Sequence, residues 1–168
     1  MEELEREGIE TELFQLGGKK IRGCLACGKC KENLNQKCSI DNDVLNNVLE
    51  KMIAADGFLL GSPTYFSDIT SEMKALIDRC GYVARANGHL FKRKVGAAIS
   101  AARRAGAQHA LNSMNHLFTI SQMIIPASSY WNIAIGGPEG AVKDDEEGMD
   151  TMRDLGINMA WLLKKIHA

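Results

Sequence analysis

Several features that would place a protein in a broad functional class are scarce in this sequence. Only 6% of the 168 residues are aromatic, and the formal net charge is −1. A protein that binds nucleic acid is expected to carry a basic field, whereas the dense basic runs here are short, at residues 92–94 and 103–104. The charge balance therefore argues against nucleic-acid binding.

Long apolar runs and export signals are also missing from the sequence. No apolar stretch approaches the roughly 20 residues that span a bilayer. The opening residues, MEELERE, contain neither the basic nor the apolar segment of an export signal. We therefore expect no membrane anchoring and a cytoplasmic, reducing location, where disulfides are rare. The length and the hydrophobic share of 45% predict a single domain over residues 1–168.

Cysteine, by contrast, is concentrated in one short segment. Cys24, Cys27 and Cys30 are separated by two residues each, and Cys38 follows after seven more, in a cysteine-rich loop predicted over residues 22–40. This spacing favours a [4Fe–4S] cluster, in which each iron takes one thiolate. Structural zinc usually draws on two separated Cys-x-x-Cys pairs, and metal-free thiols are a third alternative. The sequence leaves all three alternatives open.

Apolar periodicity predicts several strands. Continuous apolar runs at residues 57–62 and 94–100 are typical of strands that are buried on both faces. Three further segments have weaker strand patterns, namely residues 9–14, 123–125 and 132–135.

Helical periodicity lies between and after these strands. The first long helix is predicted to follow Asp41 or Asp43, and the second to follow Thr70 or Ser71. Cys80 lies on the apolar stripe of the second helix, which predicts a core position. Two more helices are predicted, one with Leu111, Met114 and Phe118 on its inner face, the other with Met149, Met152, Gly156, Met159, Leu163 and Ile166 on one stripe. Repeated strand–helix units of this length predict a doubly wound parallel sheet in a three-layer α/β/α fold.

In such a fold, ligands bind at the carboxyl ends of the strands. The first buried strand runs into Ser62, Pro63, Thr64, Tyr65 and Phe66, which combine a rigid proline, hydroxyl groups and two aromatic rings. These residue types suit a flat heteroaromatic ligand such as a flavin, which needs a stacking face and polar edge contacts. The alternative is a turn whose aromatic rings fill the core.

Other candidate residues are predicted to have structural roles. His89, His109, His116 and His167 are scattered and have no evident partner, which predicts surface positions or helix packing. The acidic run at residues 144–147 is predicted to form the first turn of the last helix, where it stabilises the positive end of the helix dipole.

Two strings carry a family resemblance. The string ADGFLLGSPTYF at residues 55–66, followed by MKALIDR at residues 73–79, resembles the flavin-binding region of the NADPH-dependent FMN reductase family. With the cysteine-rich loop ahead of these strings, the chain most resembles the iron–sulfur flavoprotein branch of that family. The resemblance extends from about Gly8 to the carboxyl end.

The resemblance implies a flavodoxin-like fold, bound FMN, and electron transfer between FMN and a [4Fe–4S] cluster. It places Pro63, Thr64, Tyr65 and Phe66 around the flavin ring, after Ser62 at the strand end. It also implies a redox partner such as NAD(P)H or ferredoxin, and a homodimer or homotetramer. The neighbouring strand end is expected to contribute Ser100, Ala101 and Arg103, and the cluster ligands are expected to be Cys24, Cys27, Cys30 and Cys38.

Two other functions remain open at this point. One is an NAD(P)H-dependent flavin or quinone reductase without a cluster, and the other is a non-catalytic binding module stapled by zinc. Compared with the family pattern, the first strand and its phosphate-binding loop are missing at the front of the sequence. Either the natural polypeptide is longer there, which we expect, or the protein lacks the strand and binds FMN weakly or with the help of a partner.

Overall fold

The computed structural model describes residues 1–167 and contains a parallel sheet between two layers of helices. The strands are β1 (Gly57–Pro63), β2 (Val95–Ala102) and β3 (Ile133–Ile135). The helices are α1 (Glu2–Arg6), α2 (Lys29–Asn33), α3 (Leu45–Ala54), α4 (Ser71–Ala86), α5 (Ala107–Ile120) and α6 (Glu146–Ile166), and a 3₁₀ turn at Ala141–Asp144 precedes α6.

The three strands lie in the order β1–β2–β3, and both pairings are parallel. Gly57 pairs with Val95 and Pro63 with Ala101, so β1 and β2 end at the same edge of the sheet. Within residues 1–167, no strand pairs with the other edge of β1.

The helices cover the two faces of the sheet unequally. The larger layer consists of α3, α4 and α5, whose apolar side chains pack with Leu60 of β1 and Ala98 of β2. The smaller layer consists of α1 and α6, which pack on Val95 and Ala97 of β2. Neighbouring residues of β2 therefore face opposite layers, which explains why this stretch of sequence is apolar at every position. The predicted flavodoxin-like, three-layer α/β/α class is confirmed, as are the strands predicted from residues 57 and 94.

Two helix starts agree with the capping residues in the sequence, whereas the cap predicted at Asp41 or Asp43 is wrong. The N-cap of α3 is Val44, whose side chain makes no capping hydrogen bond, and within α3 the Asp43 carboxylate accepts only from the Leu45 N–H at 3.1 Å. The Thr70 hydroxyl accepts a hydrogen bond from the Met73 N–H at 3.2 Å, which confirms Thr70 as the cap of α4. The Asp145 carboxylate accepts one from the Gly148 N–H at 3.0 Å, so the acidic run does lead into the first turn of α6. Cys80 is fully buried in α4, as predicted.

Two strand predictions are wrong. Residues 9–14 form no strand, because no strand lies beside their backbone. Ile9 packs against the smaller layer, whereas Phe14 packs against the larger one, so this segment connects the two layers. Residues 123–125 form only an isolated bridge between Ile124 and Val95.

The predicted stripe on α6 is wrong at its start. Asp145 holds the first turn of α6 against β3, because its carboxylate also accepts from the Ile135 N–H at 2.6 Å. Gly148 therefore faces Ala134 in place of Met149. The buried positions of α6 are Gly148, Thr151, Leu155, Met159, Ala160 and Leu163. Over the described part of the chain, no helix has the length and apolar character needed to cross a membrane.

Candidate functional site

The loop after β1 forms a tight two-residue hairpin. The Tyr65 N–H donates to the Asp68 carbonyl at 2.8 Å, and the Asp68 N–H donates to the Tyr65 carbonyl at 3.1 Å. Phe66 and Ser67 at the tip have φ angles of +48° and +64°. Such angles suit a type I′ turn, which usually employs Asn or Gly, and they store strain in other residues. The hairpin holds the Phe66 side chain fully in solvent.

Three hydroxyl groups fix the base of this hairpin. The Ser100 hydroxyl of β2 donates to the Ser62 carbonyl of β1 at 2.9 Å, and it lies 3.0 Å from the Thr64 hydroxyl. The Ser62 hydroxyl accepts from the Thr70 N–H at 3.1 Å. Ser62 and Ser100 are both buried, so they position the loop and do not present their hydroxyl groups to solvent.

The loop after β2 packs directly on the hairpin. Gly106 has a φ angle of +88°, and a Cβ atom placed there would lie 2.7 Å from the Ser67 Cα. Arg103 in the same loop is exposed and Ala101 is partly buried. The structure therefore brings the two predicted flavin segments together at the carboxyl edge of the sheet. Their exposed members are Pro63, Tyr65, Phe66 and Arg103.

A polar cluster that sequence reasoning missed lies beside the hairpin. The Ser113 hydroxyl donates to the Asp68 carboxylate at 2.7 Å, and His109 Nε2 lies 3.5 Å from the other Asp68 oxygen. Hydrogen bonds from Ser113 and from the Ile69 N–H, together with His109, lower the pKa of Asp68. All four histidines have exposed side chains, as predicted, but two of them do have carboxylate partners: His109 contacts Asp68, and His167 Nε2 lies 3.7 Å from the Asp56 carboxylate.

The cysteine-rich loop lies at the outer end of the larger layer and contains α2. Cys24 and Cys27 are exposed, while Cys30 and Cys38 are partly buried. The Ala26 N–H donates to the Cys24 sulfur at 3.4 Å, and the Cys27 sulfur lies 3.5 Å from the Ser39 hydroxyl. The hydrogen bond with Ser39, together with backbone N–H groups, lowers the pKa of Cys27.

The four cysteine sulfurs do not converge on one point, as the ligands of a single cluster must. Over residues 1–167, no group of three or more His, Cys, Asp or Glu side chains is arranged to hold a metal ion. The chemistry of the loop nonetheless fits a thiolate-bound cluster, because Cys24 and Cys38 each already accept N–H hydrogen bonds. Hydrogen bonds to sulfur are one of the means by which proteins set the properties of iron–sulfur clusters.

A buried arginine contacts the cysteine-rich loop. Arg79 of α4 is 1% exposed, and it pairs with the buried carboxylate of Asp43 at 2.5 Å. Burial alone would raise the pKa of Asp43, but hydrogen bonds from Arg79 and from the Arg22 and Leu45 N–H groups lower it below its ordinary value. Sequence reasoning missed this pair, although a signal existed: Arg79 lies between Leu76 and Val83 on the buried stripe of α4.

A helix joins the two candidate regions. Thr70 caps α4 beside the hairpin, and Arg79 of the same helix contacts Cys38. The nine residues of α4 from Ser71 to Arg79 span about 13 Å of α-helix. The two regions therefore share one rigid element.

Comparison with known proteins agrees with this architecture. The family model for NADPH-dependent FMN reductase matches residues 1–137. Among solved structures, RosB with a bound intermediate superposes with a TM-score of 0.70 at 20% identity, over 98% of this chain and 69% of that one. A WrbA-like flavodoxin from Agrobacterium tumefaciens gives a TM-score of 0.56 at 16% identity, over 71% of this chain and 73% of that one. These two likenesses show the fold.

Curated relatives are more similar in sequence. An iron–sulfur flavoprotein of Methanocaldococcus jannaschii is 36% identical over 167 residues, which cover 95% of this chain and 84% of the relative. An iron–sulfur flavoprotein of Methanosarcina thermophila is 31% identical over 169 residues, covering 99% of this chain and 85% of the relative. The chain therefore belongs to the NADPH-dependent FMN reductase family, in its iron–sulfur flavoprotein branch.

Proposed function

We propose that this protein is an FMN-dependent oxidoreductase that relays electrons between FMN and a [4Fe–4S] cluster. The observation that carries the proposal is the shared helix: α4 begins at the hairpin proposed for FMN and contacts Cys38 of the cysteine-rich loop through Arg79. Family membership supports the flavin part, and the names of the curated relatives support the cluster part.

FMN would be held at the carboxyl edge of β1 and β2. Pro63, Thr64, Tyr65 and Phe66 would border the ring, with the exposed aromatic side chains of the hairpin available for stacking. Within the described residues, the N–H groups of Phe66 and Ser67 have no hydrogen-bond acceptor, so they are available to the polar edge of the ring. Ser62 and Ser100 would hold the hairpin in place, and Ala101 and Arg103 would lie beside it.

The cluster would be bound by Cys24, Cys27, Cys30 and Cys38. Because Cys24 and Cys27 are exposed in the same loop as the partly buried Cys30 and Cys38, the loop can close around a cluster from its solvent side. When bound, FMN exchanges electrons in pairs or singly and the cluster exchanges them singly, so the two groups together connect two-electron and one-electron chemistry. The chain's own contribution is to bind both groups and to fix their separation through α4.

The electron donor would be NAD(P)H or an acidic carrier protein such as a ferredoxin. Between residues 17 and 38 the chain has six lysine and arginine residues but a single acidic one, although its overall charge is −1. All six basic residues are exposed. A basic surface around the proposed cluster favours an acidic protein partner, because complementary charge accelerates encounter. We further propose a cytoplasmic protein that forms a homodimer or homotetramer.

The proposal is tested by purifying the protein without oxygen, reconstituting it with iron and sulfide, and measuring FMN, iron and acid-labile sulfide per chain. We expect flavin and cluster absorbance together. Cys27→Ser should abolish the cluster and leave the flavin bound, whereas Cys80→Ala, which removes the buried thiol of α4, should retain both. A full cluster in Cys27→Ser would contradict the assigned ligand set.

The flavin site is tested separately by titration with FMN. Tyr65→Ala is expected to weaken FMN binding, while Tyr82→Ala, which alters an exposed tyrosine on α4, should not. Equal affinities in the two variants would contradict the placement of the ring at the hairpin.

One observation favours a second candidate function. The absence of a convergent metal-binding group within residues 1–167 is what a flavin or quinone reductase with free thiols would show. In that case the reconstituted protein would contain FMN without iron or sulfide, and NAD(P)H would reduce the flavin directly.

A further inference from the structure

The guanidinium group of Arg79 uses all five of its N–H donors. Nε and Nη2 each donate to the Cys38 sulfur at 3.4 Å. The second Nη2 donor reaches the Ile40 carbonyl at 2.8 Å, and the Nη1 donors reach the Arg22 carbonyl at 3.1 Å and the Asp43 carboxylate at 2.5 Å. A side chain that is satisfied in this way has one fixed orientation.

These contacts join both ends of the cysteine-rich loop to one point on α4. Arg22 precedes Cys24 by two residues, and Ile40 follows Cys38 by two residues. The Asp43 carboxylate reinforces the arrangement, because it also accepts from the Arg22 N–H at 3.1 Å. The two ends of the loop are therefore held together through α4 even though no strand or disulfide connects them.

Cys38 is the most strongly fixed of the four cysteines. Its N–H donates to the Asn46 side-chain oxygen at 2.8 Å, and its carbonyl accepts from the Asn46 side-chain nitrogen at 2.9 Å. With two further N–H groups directed at its sulfur, Cys38 is presented in one orientation beside a positive charge. Hydrogen bonds and positive charge at a ligand sulfur favour the reduced, more negative state of an iron–sulfur cluster.

We propose that Arg79 is a positioning residue of the cluster site, which closes the cysteine-rich loop and raises the reduction potential of the bound cluster through Cys38. This inference rests on the proposed function, because it concerns the cluster assigned there. A lysine cannot replace Arg79, since a single ammonium group cannot reach the sulfur and both carbonyls in one plane.

The experiment compares Arg79→Lys with Arg85→Lys, a matched change at an exposed position of the same helix. The proteins are reconstituted, challenged with a chelator, and assayed for retained iron and sulfide. The cluster potential is then measured by a redox titration monitored by electron paramagnetic resonance. We expect Arg79→Lys to lose its iron at a chelator concentration on the order of 10-fold lower than the wild type requires. Its remaining cluster should have a more negative potential, and Arg85→Lys should match the wild type.

Asp43→Asn provides a second test that does not require Arg79→Lys to fold. It removes the carboxylate that offsets the guanidinium charge, so the potential should shift in the positive direction, which a purely structural role would not produce. An unchanged potential in Asp43→Asn would overturn the inference, as would unchanged iron retention and potential in a folded Arg79→Lys. In either case a cluster in the wild-type protein would still support the proposed function. A wild-type protein that binds neither iron nor sulfide would overturn both.

Discussion

At the scale of single residues, the cap of α4 offers a direct test of local stabilisation. The Thr70 hydroxyl accepts from the Met73 N–H, whereas the neighbouring Ser71 hydroxyl contacts only the exposed Glu72 carboxylate. We expect Thr70→Ala to lower the free energy of unfolding by ~1 kcal/mol, because an N–H group at the helix start loses its acceptor. Ser71→Ala should change it by less than about 0.5 kcal/mol. Urea denaturation of the two variants measures the difference, and equal values would show that Thr70 is not the cap.

A second residue, Asp145, gives the protein a defined response to acid. Hydrogen bonds from the Ile135 and Gly148 N–H groups lower the pKa of its carboxyl group. Because the folded pKa is the lower one, the stabilisation is complete above the unfolded value of about 3.9 and is lost as the pH falls through the folded pKa. We expect Asp145→Asn to make the free energy of unfolding less dependent on pH in this range. Asp144→Asn, which alters the exposed carboxylate next to it, is the control, and parallel pH curves for wild type and Asp145→Asn would contradict the prediction.

What the sequence reveals at this scale depends on how local the interaction is. The Thr70 cap was predictable because it involves residues close together along the chain. Arg79 and its partners were not, because Cys38 and Asp43 precede it by about 40 residues and only the tertiary fold brings them together. His109 was interpreted as a residue without a partner for the same reason, since Asp68 lies in the loop after β1 and His109 in α5.

At the scale of secondary-structure elements, the contact between Gly106 and Ser67 connects the loops that follow β1 and β2. Gly106 and Gly88 both have a φ angle of +88°, but a Cβ atom at Gly88 would meet nothing within 4 Å. Both Gly→Ala substitutions should therefore cost about 1 kcal/mol of backbone strain. We expect Gly106→Ala to cost more than Gly88→Ala, and it alone should weaken FMN binding, because the added methyl group displaces the hairpin. Denaturation and FMN titration measure the two effects, and identical behaviour of the variants would show that the contact does not shape the site.

The way each segment is buried explains which elements could be predicted from the sequence. The runs at residues 57–62 and 94–100 are apolar throughout, and only a strand between two layers buries both of its faces. The pattern at residues 9–14 alternates as an edge strand would, but alternation does not show whether a neighbouring strand exists. Residues 123–125 pair with the start of β2 only through Ile124, which accepts from the Gly96 N–H and donates to the Lys94 carbonyl, so the pairing is too short to form a strand.

At the scale of the whole molecule, the two layers leave β1 partly uncovered. The larger layer packs on Phe58 and Leu60, while α6 in the smaller layer covers β2 and β3. Leu59 in the middle of β1 consequently remains 38% exposed, next to a strand edge that no other strand of the described chain pairs with. An apolar strand edge of this kind promotes association between chains.

A strand preceding this sequence would cover that edge, so we expect the 168-residue polypeptide as it stands to self-associate through β1. Leu59→Lys places a charge at the uncovered edge, where burial against another chain would be costly, and should shift the population towards monomer. Leu13→Lys is the matched control, because it replaces an apolar side chain that is 72% exposed outside the sheet. Sedimentation velocity over a range of protein concentrations measures the association. A wild-type protein that stays monomeric, or an equal effect of both substitutions, would show that β1 is not the contact surface.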